Sequence, residues 1–157
     1  ELKSVGIDLL QASRFMESTM PEPGPIGHLP PTPQQWDDIR LGLRVAKATS
    51  GLDIGQTVVI KEGTVLAVEA FEGTDATIIR AGELGGPGSV VVKVAKRGHD
   101  MRFDIPVIGD RTFDSMKKSG AAVLAVEARR SILLDREELV KLADRRGIAF
   151  LAVEMES

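Results

Sequence analysis

Between Gly120 and Glu154 the chain alternates two kinds of segment, and this punctuation restricts the fold more than any other feature of the sequence. Ala122–Ala128 is a nearly unbroken apolar run, the pattern of a strand covered on both faces. A helical stretch from Asp135 to Arg145 follows and is closed by Gly147, and Ile148–Glu154 returns to the strand pattern. Another helix, Asp110–Lys118 with Gly120 behind it, stands in front, and Ser131–Leu134 is a short extended piece. Strands and glycine-closed helices in this order predict an α/β fold, a single domain with a mixed β-sheet flanked by helices.

The rest of the chain reads consistently with that expectation. Thr32 and Pro33 form a helix start, and Trp36, Ile39, Leu43 and Val45 or Ala46 carry an apolar stripe toward a stop near Ser50, with Gly51 as the expected left-handed cap. Thr57–Lys61 and Val65–Phe71 look like a hairpin around Glu62-Gly63. A helix is expected over about Thr74–Leu84. Gly82, Gly85, Gly86, Pro87 and Gly88 then suggest a flexible loop before a buried strand at Val90–Ala95, and Phe103–Val107 reads as extended. Upstream, Pro21, Pro23, Pro25, Pro30 and Pro31 favour extended chain. Residues 1–31 are therefore expected to be a connector and 32–157 one folded unit, within the roughly 100–200 residues usual for a domain. The word Val65-Leu-Ala-Val-Glu-Ala70 recurs at Val123–Ala128, with Phe150–Glu154 close to it. Either good buried-strand residues were reused or a β-unit was duplicated.

Composition narrows the function. A net charge of −3 offers no global attraction for nucleic acid, so an anionic ligand would have to be held by local charge. With no cysteine there is no disulfide framework and no thiol chemistry, which fits a reducing cytoplasm. No apolar run of about 18 residues occurs, so any membrane contact is expected to be peripheral.

Two clusters can carry chemistry. Glu69, Glu72, Thr74 and Asp75 lie where a strand gives way to a helix, a place whose unpaired backbone N–H groups attract anions. Carboxylates there would repel a phosphate unless a cation such as Mg²⁺ lay between them. Ordinary capping by Thr74 with Asp75 in the first turn accounts for the same residues. The second cluster runs from Lys93 through Lys96, Arg97, His99, Asp100, Arg102 and Asp104 to Pro106. In an extended segment Asp100, Arg102 and Asp104 share one face. That face would be a phosphate and metal site or a solvated salt-bridge surface. Lys61 is a further candidate for phosphate contact, and His28 and His99 form no recognisable metal motif. Walker A, Gly-x-Ser-x-Gly and Gly-x-Gly-x-x-Gly patterns are absent.

Leu52-Asp-Ile-Gly-Gln56, Val65–Ala70, Glu72-Gly-Thr-Asp75, Arg102-Phe-Asp-Ile-Pro-Val-Ile-Gly109, Gly120–Ala128, Leu134-Asp-Arg-Glu137 and Gly147–Val153 together resemble the UDP-2,3-diacylglucosamine pyrophosphatase family of lipid A biosynthesis, over about Pro33–Val153. The resemblance implies the C-terminal domain of a two-domain protein whose N-terminal Rossmann-like domain lies outside this sequence. It further implies Mg²⁺-assisted hydrolysis of the UDP-linked glycolipid to 2,3-diacylglucosamine 1-phosphate and UMP. On that basis Asp104 is the catalytic residue and, with Asp75 and Glu72, a metal ligand. Thr74, Lys93, Lys96 and Arg102 are expected on the substrate, and the protein is expected in the cytoplasm, with any membrane contact peripheral at the inner membrane and a homodimer as one assembly open to it. A non-catalytic nucleotide-sugar-binding or dimerisation module is the competing reading.

Overall fold

The computed structural model describes residues 16–96 and 105–155. Its elements, in chain order, are β1 (Gly24–Pro25), α1 (Pro33–Gly51), β2 (Thr57–Lys61), β3 (Thr64–Val68), α2 (Thr74–Gly85), β4 (Val90–Lys93), β5 (Val107–Ile108), α3 (Asp110–Ser119), β6 (Val123–Glu127), β7 (Ile132–Leu133), α4 (Arg136–Arg145) and β8 (Ala149–Val153). Six strands form a mixed sheet in the order β1-β8-β6-β4-β2-β3, and β5 pairs with β7 in a small parallel ribbon. β4, β6 and β8 are parallel neighbours, whereas β2 is antiparallel to both β3 and β4. The architecture is thus the expected mixed sheet flanked by helices.

Alternation along the strands divides the core in two. Val58, Ile60, Val90, Val92, Val123 and Ala125 face α1, whose Ile39, Leu43 and Ala46 are buried against them. On the other side Val59, Val91, Leu124, Val126 and Phe150 pack against Ile78 and Ala81 of α2, Phe113 and Met116 of α3, and Leu139 and Ala143 of α4. Phe113 meets Phe150 edge-on, ring centroids 5.3 Å apart. Gly42 lets α1 lie close to the sheet, since a Cβ there would stand 2.5 Å from Val92 Cγ2.

Local chemistry fixes the helix ends. Thr32 and Gln35 close a capping box ahead of Pro33. Gly120 ends α3 in the left-handed conformation, and Asp135 caps α4 through the Glu138 amide. The end of α1 differs from expectation: Gly51 stays inside the helix, Leu52 is the cap at φ −94°, and Asp53 takes the positive φ of 60°. An aspartate tolerates that region better than most side chains do. The proline-rich approach is extended and bound to the sheet: β1 pairs with β8, and the amides of Ile26 and Gly27 both donate to the Phe150 carbonyl.

The repeated word occupies unlike positions. In the parallel pair β6–β8, Leu124 lies opposite Phe150 and Ala125 opposite Leu151, one step out of register with the sequence match. One step reverses the faces, so Leu124 packs toward α2–α4 and Leu151 toward α1. That offset favours reuse of strand-forming residues over duplication of a β-unit.

Candidate functional site

β3, β4, β6 and β8 run in the same direction, so their carboxyl ends share one edge of the sheet, together with the start of β2, where Thr57 lies opposite Lys93. Ligands of α/β sheets gather at such an edge. Here it opens into a cleft of about 540 Å³ whose wall includes Asp53, Gln56, Glu69, Lys93, Lys96 and, from the far side, Pro106.

Thr74, the first residue of α2, is bonded to two residues of the cleft wall, Lys93 and Glu69. Lys93 Nζ donates to Thr74 Oγ1 at 3.0 Å, Thr74 Oγ1 in turn donates to Glu69 Oε1 at 3.0 Å, and the Thr57 hydroxyl lies 3.2 Å from that of Thr74. The Gln56 amide donates to Glu69 Oε2 at 3.3 Å. The loop reaches this carboxylate only because residue 55 is glycine: a Cβ there would fall 2.1 Å from the Glu69 carbonyl oxygen. Lys96 Nζ pairs with Asp53 at the same cleft. Two ammonium groups on the wall, Lys93 and Lys96, offer donors to a phosphate or pyrophosphate, beside the carboxylates of Asp53 and Glu69.

The structure therefore places Lys93 and Lys96 on one cleft and bonds Thr74 to Lys93. Glu72 and Asp75 go elsewhere. The Glu72 carboxylate accepts from the Ala70 amide at 3.2 Å and from Arg80 at 2.5 Å. Hydrogen bonding to its own backbone amide, then the Arg80 guanidinium, hold its carboxyl below the usual range. Asp75 turns toward α3, where Ser115 donates to it at 3.1 Å and Arg111 lies 3.4 Å away. Lys61 is used structurally, donating to the Gly85 carbonyl at 2.6 Å. His28 pairs with Asp144. Asp104, Arg102, His99 and Asp100 lie outside the described residues; the described chain resumes at Ile105, also on the cleft wall.

Among the described residues no group of three or more acidic or histidine side chains could hold a metal ion. With Glu72 and Asp75 engaged by cations and donors away from the cleft, the described residues do not by themselves fit the expected Mg²⁺ set.

Glu69, part of the first acidic cluster but given no role of its own by the sequence, belongs to the cleft, and so do Gln56 and Asp53. A signal for Glu69 was present: Val-Glu ends each copy of the repeated word, at Glu69, Glu127 and Glu154, and all three glutamates stand at the carboxyl edge of the sheet. They serve different ends, Glu69 in the cleft, Glu127 in a buried pair with Lys47 and Glu154 on Arg129.

Comparison with known proteins gives a consistent picture. A family model described as the LpxI C-terminal domain matches residues 22–151. The UDP-2,3-diacylglucosamine pyrophosphatase LpxI of Caulobacter vibrioides is 37% identical over 163 aligned residues, covering 98% of this chain. The chain spans 58% of that relative's length. Among solved structures, the apo dCMP deaminase of cyanophage S-TIM5 aligns with a TM-score of 0.47 and 9% identity over 73% of this chain and 95% of that one, a likeness on which no argument rests.

Proposed function

The chain belongs to the LpxI C-terminal domain family, and from that membership we propose that it supplies the pyrophosphate-binding half of an enzyme that hydrolyses UDP-2,3-diacylglucosamine to 2,3-diacylglucosamine 1-phosphate and UMP. The observation that carries the proposal is the presence of two ammonium groups, Lys93 and Lys96, on one cleft at the carboxyl edge of the sheet, with Thr74 bonded to the first of them.

In this reading Lys93 and Lys96 neutralise the pyrophosphate, and Thr74, whose hydroxyl proton goes to Glu69, fixes the Lys93 ammonium on the substrate side. Donors fixed before the reaction stabilise charge that develops on the leaving phosphate without reorganising. Glu69 holds the Thr74 hydroxyl and keeps Lys93 aimed at the cleft. Asp104, one residue before the cleft-lining Ile105, is the candidate to position the attacking water. A bound Mg²⁺ would supply Lewis-acid polarisation of a phosphoryl oxygen; Asp104 is the carboxylate we assign to it.

No helix among the described residues is long and apolar enough to cross a membrane. Leu52, Ile54, Phe71 and Val107 are exposed in segments that border the cleft, and Phe71 is fully so. They suit contact with acyl chains, and we place the protein in the cytoplasm against the inner membrane. Homodimerisation, part of the same proposal, has its support in the exposed edge strand β3.

The test is UMP release from UDP-2,3-diacylglucosamine by the full-length protein, with and without EDTA, beside its Asp104→Ala and Lys93→Ala variants. Turnover that EDTA abolishes is expected, with kcat reduced about 10²- to 10³-fold by Lys93→Ala, the range for removing one preorganised donor, and at least as much by Asp104→Ala. An inactive parent protein would overturn the catalytic reading. Unimpaired variants would remove these residues from it, and activity in EDTA would remove the metal.

A further inference from the structure

β4 leaves its ladder at Lys93, and two residues later the chain is held by side chains instead of by a neighbouring strand. Ala95, fully buried, donates its amide to Glu127 Oε2 at 2.8 Å, while its carbonyl accepts from Lys47 Nζ at 2.8 Å. Lys47 also donates to both carboxylate oxygens of Glu127, at 2.8 and 2.6 Å. The pair joins α1 to the end of β6, with side chains only 14% and 4% exposed. The next residue is Lys96, whose ammonium meets Asp53 in the cleft.

Burying two opposite charges is a poor route to stability alone, because their desolvation offsets much of their attraction, and apolar residues of similar size often serve as well. A pair that grips both backbone groups of a single residue does something apolar side chains cannot. It fixes where the chain emerges from the sheet and in which direction the next side chain leaves.

We infer that the Lys47–Glu127 pair is a positioning device for Lys96, setting the ammonium at the cleft by clamping both the amide and the carbonyl of Ala95. The inference rests on the phosphate-binding reading of the cleft for its catalytic consequence. It does not depend on that reading for its structural one.

The test uses the full-length protein and the double variant Lys47→Met/Glu127→Leu, which keeps volume in the interior and removes the clamp. A second variant, Lys47→Met/Glu127→Gln, keeps the glutamate's shape and frees the Ala95 carbonyl, and replaces the first if that one fails to fold. Two quantities are read from a folded variant. The first is the rate at which an amine-acylating reagent modifies Lys96 relative to exposed Lys117, by mass spectrometry. It should rise up to about fivefold as the Asp53 pairing is lost, the range of a partly exposed ion pair. The second is a mutant cycle on kcat/KM for UMP release. The clamp variant should lose about tenfold in the parent and less than about twofold in a Lys96→Ala background, because two changes acting through one group do not add.

Unchanged Lys96 acylation would overturn the inference whatever the activity. Altered acylation with losses that multiply in the Lys96→Ala background would show that the pair positions Lys96 but acts on catalysis by another route, and would overturn the catalytic consequence. A parent protein that releases no UMP would sink the pyrophosphatase reading, and the acylation rates would still decide whether the pair positions Lys96.

Discussion

Asp38 illustrates how one side chain on α1 can serve a distant turn. It is 2% exposed, and its carboxylate accepts from the amides of Glu62 at 2.9 Å and Gly63 at 2.7 Å, the two positive-φ residues of the β2–β3 turn. Asp38→Ala leaves both donors without their acceptor and should cost about 2 kcal/mol, the scale of a hydrogen bond to a charged group; urea unfolding of the variant beside its parent measures this. Asp144 carries a pH dependence. The backbone amide of His28, then its ring, hold this carboxyl below its ordinary range. A carboxyl lowered on folding adds stability that is present above its unfolded pKa and is lost as pH falls through the folded value. Asp144→Asn should therefore be less stable than the parent at pH 7, with the gap closing at pH 3 in paired thermal melts; an equal gap at both pH values would contradict the assignment. Neither partnership is visible in the sequence, because residues 24 and 25 positions apart, or 116, share no local pattern.

At the scale of elements, local chemistry was most legible where a cap or turn is written in adjacent residues. Thr32-Pro33, Glu62-Gly63 and Gly120 stand where such residues are expected, since each acts through its own backbone and near neighbours. Gly51 misled because several nearby residues can end a helix; here the left-handed position falls to Asp53, whose carboxylate pairs with Lys96. Gly82 shows the converse. Falling within both the expected helix and the expected loop, it lies inside α2, at the contact with α3, where a Cβ would stand 2.6 Å from Ser119 Cα. The glycine permits close helix packing. Gly82→Ala should destabilise by about 1–3 kcal/mol through overpacking against backbone, despite alanine's better helix propensity. Chemical denaturation decides between these opposed effects; a stabilised variant would mean that the α2–α3 contact yields easily.

At the scale of the whole molecule, the cleft is assembled from segments far apart in sequence: the α1–β2 loop, the end of β3, the exit of β4 and Ile105–Val107. The relative from Caulobacter vibrioides is longer than this chain, which spans 58% of it. If the proposed reaction needs groups from both parts, the 157-residue chain alone should release UMP at least about 10²-fold more slowly than the full-length protein, the loss that imperfect positioning of reacting groups brings. Equal rates would place the whole active site on this chain. The sequence by itself determined the α/β class and most of the strands and helices, because apolar periodicity and glycine or proline punctuation act over a few residues. Its motifs also led to the family and marked Lys93, Lys96 and Thr74 as candidates. Only the tertiary structure decided that Lys93 and Lys96 share a cleft with Thr74 bonded to Lys93, that Glu72 and Asp75 turn to Arg80 and α3, and that identical Val-Glu strand ends become a cleft residue, a buried partner of Lys47 and a surface ion pair. Those outcomes depend on which strand lies beside which, and sheet order is set by the packing of the entire core.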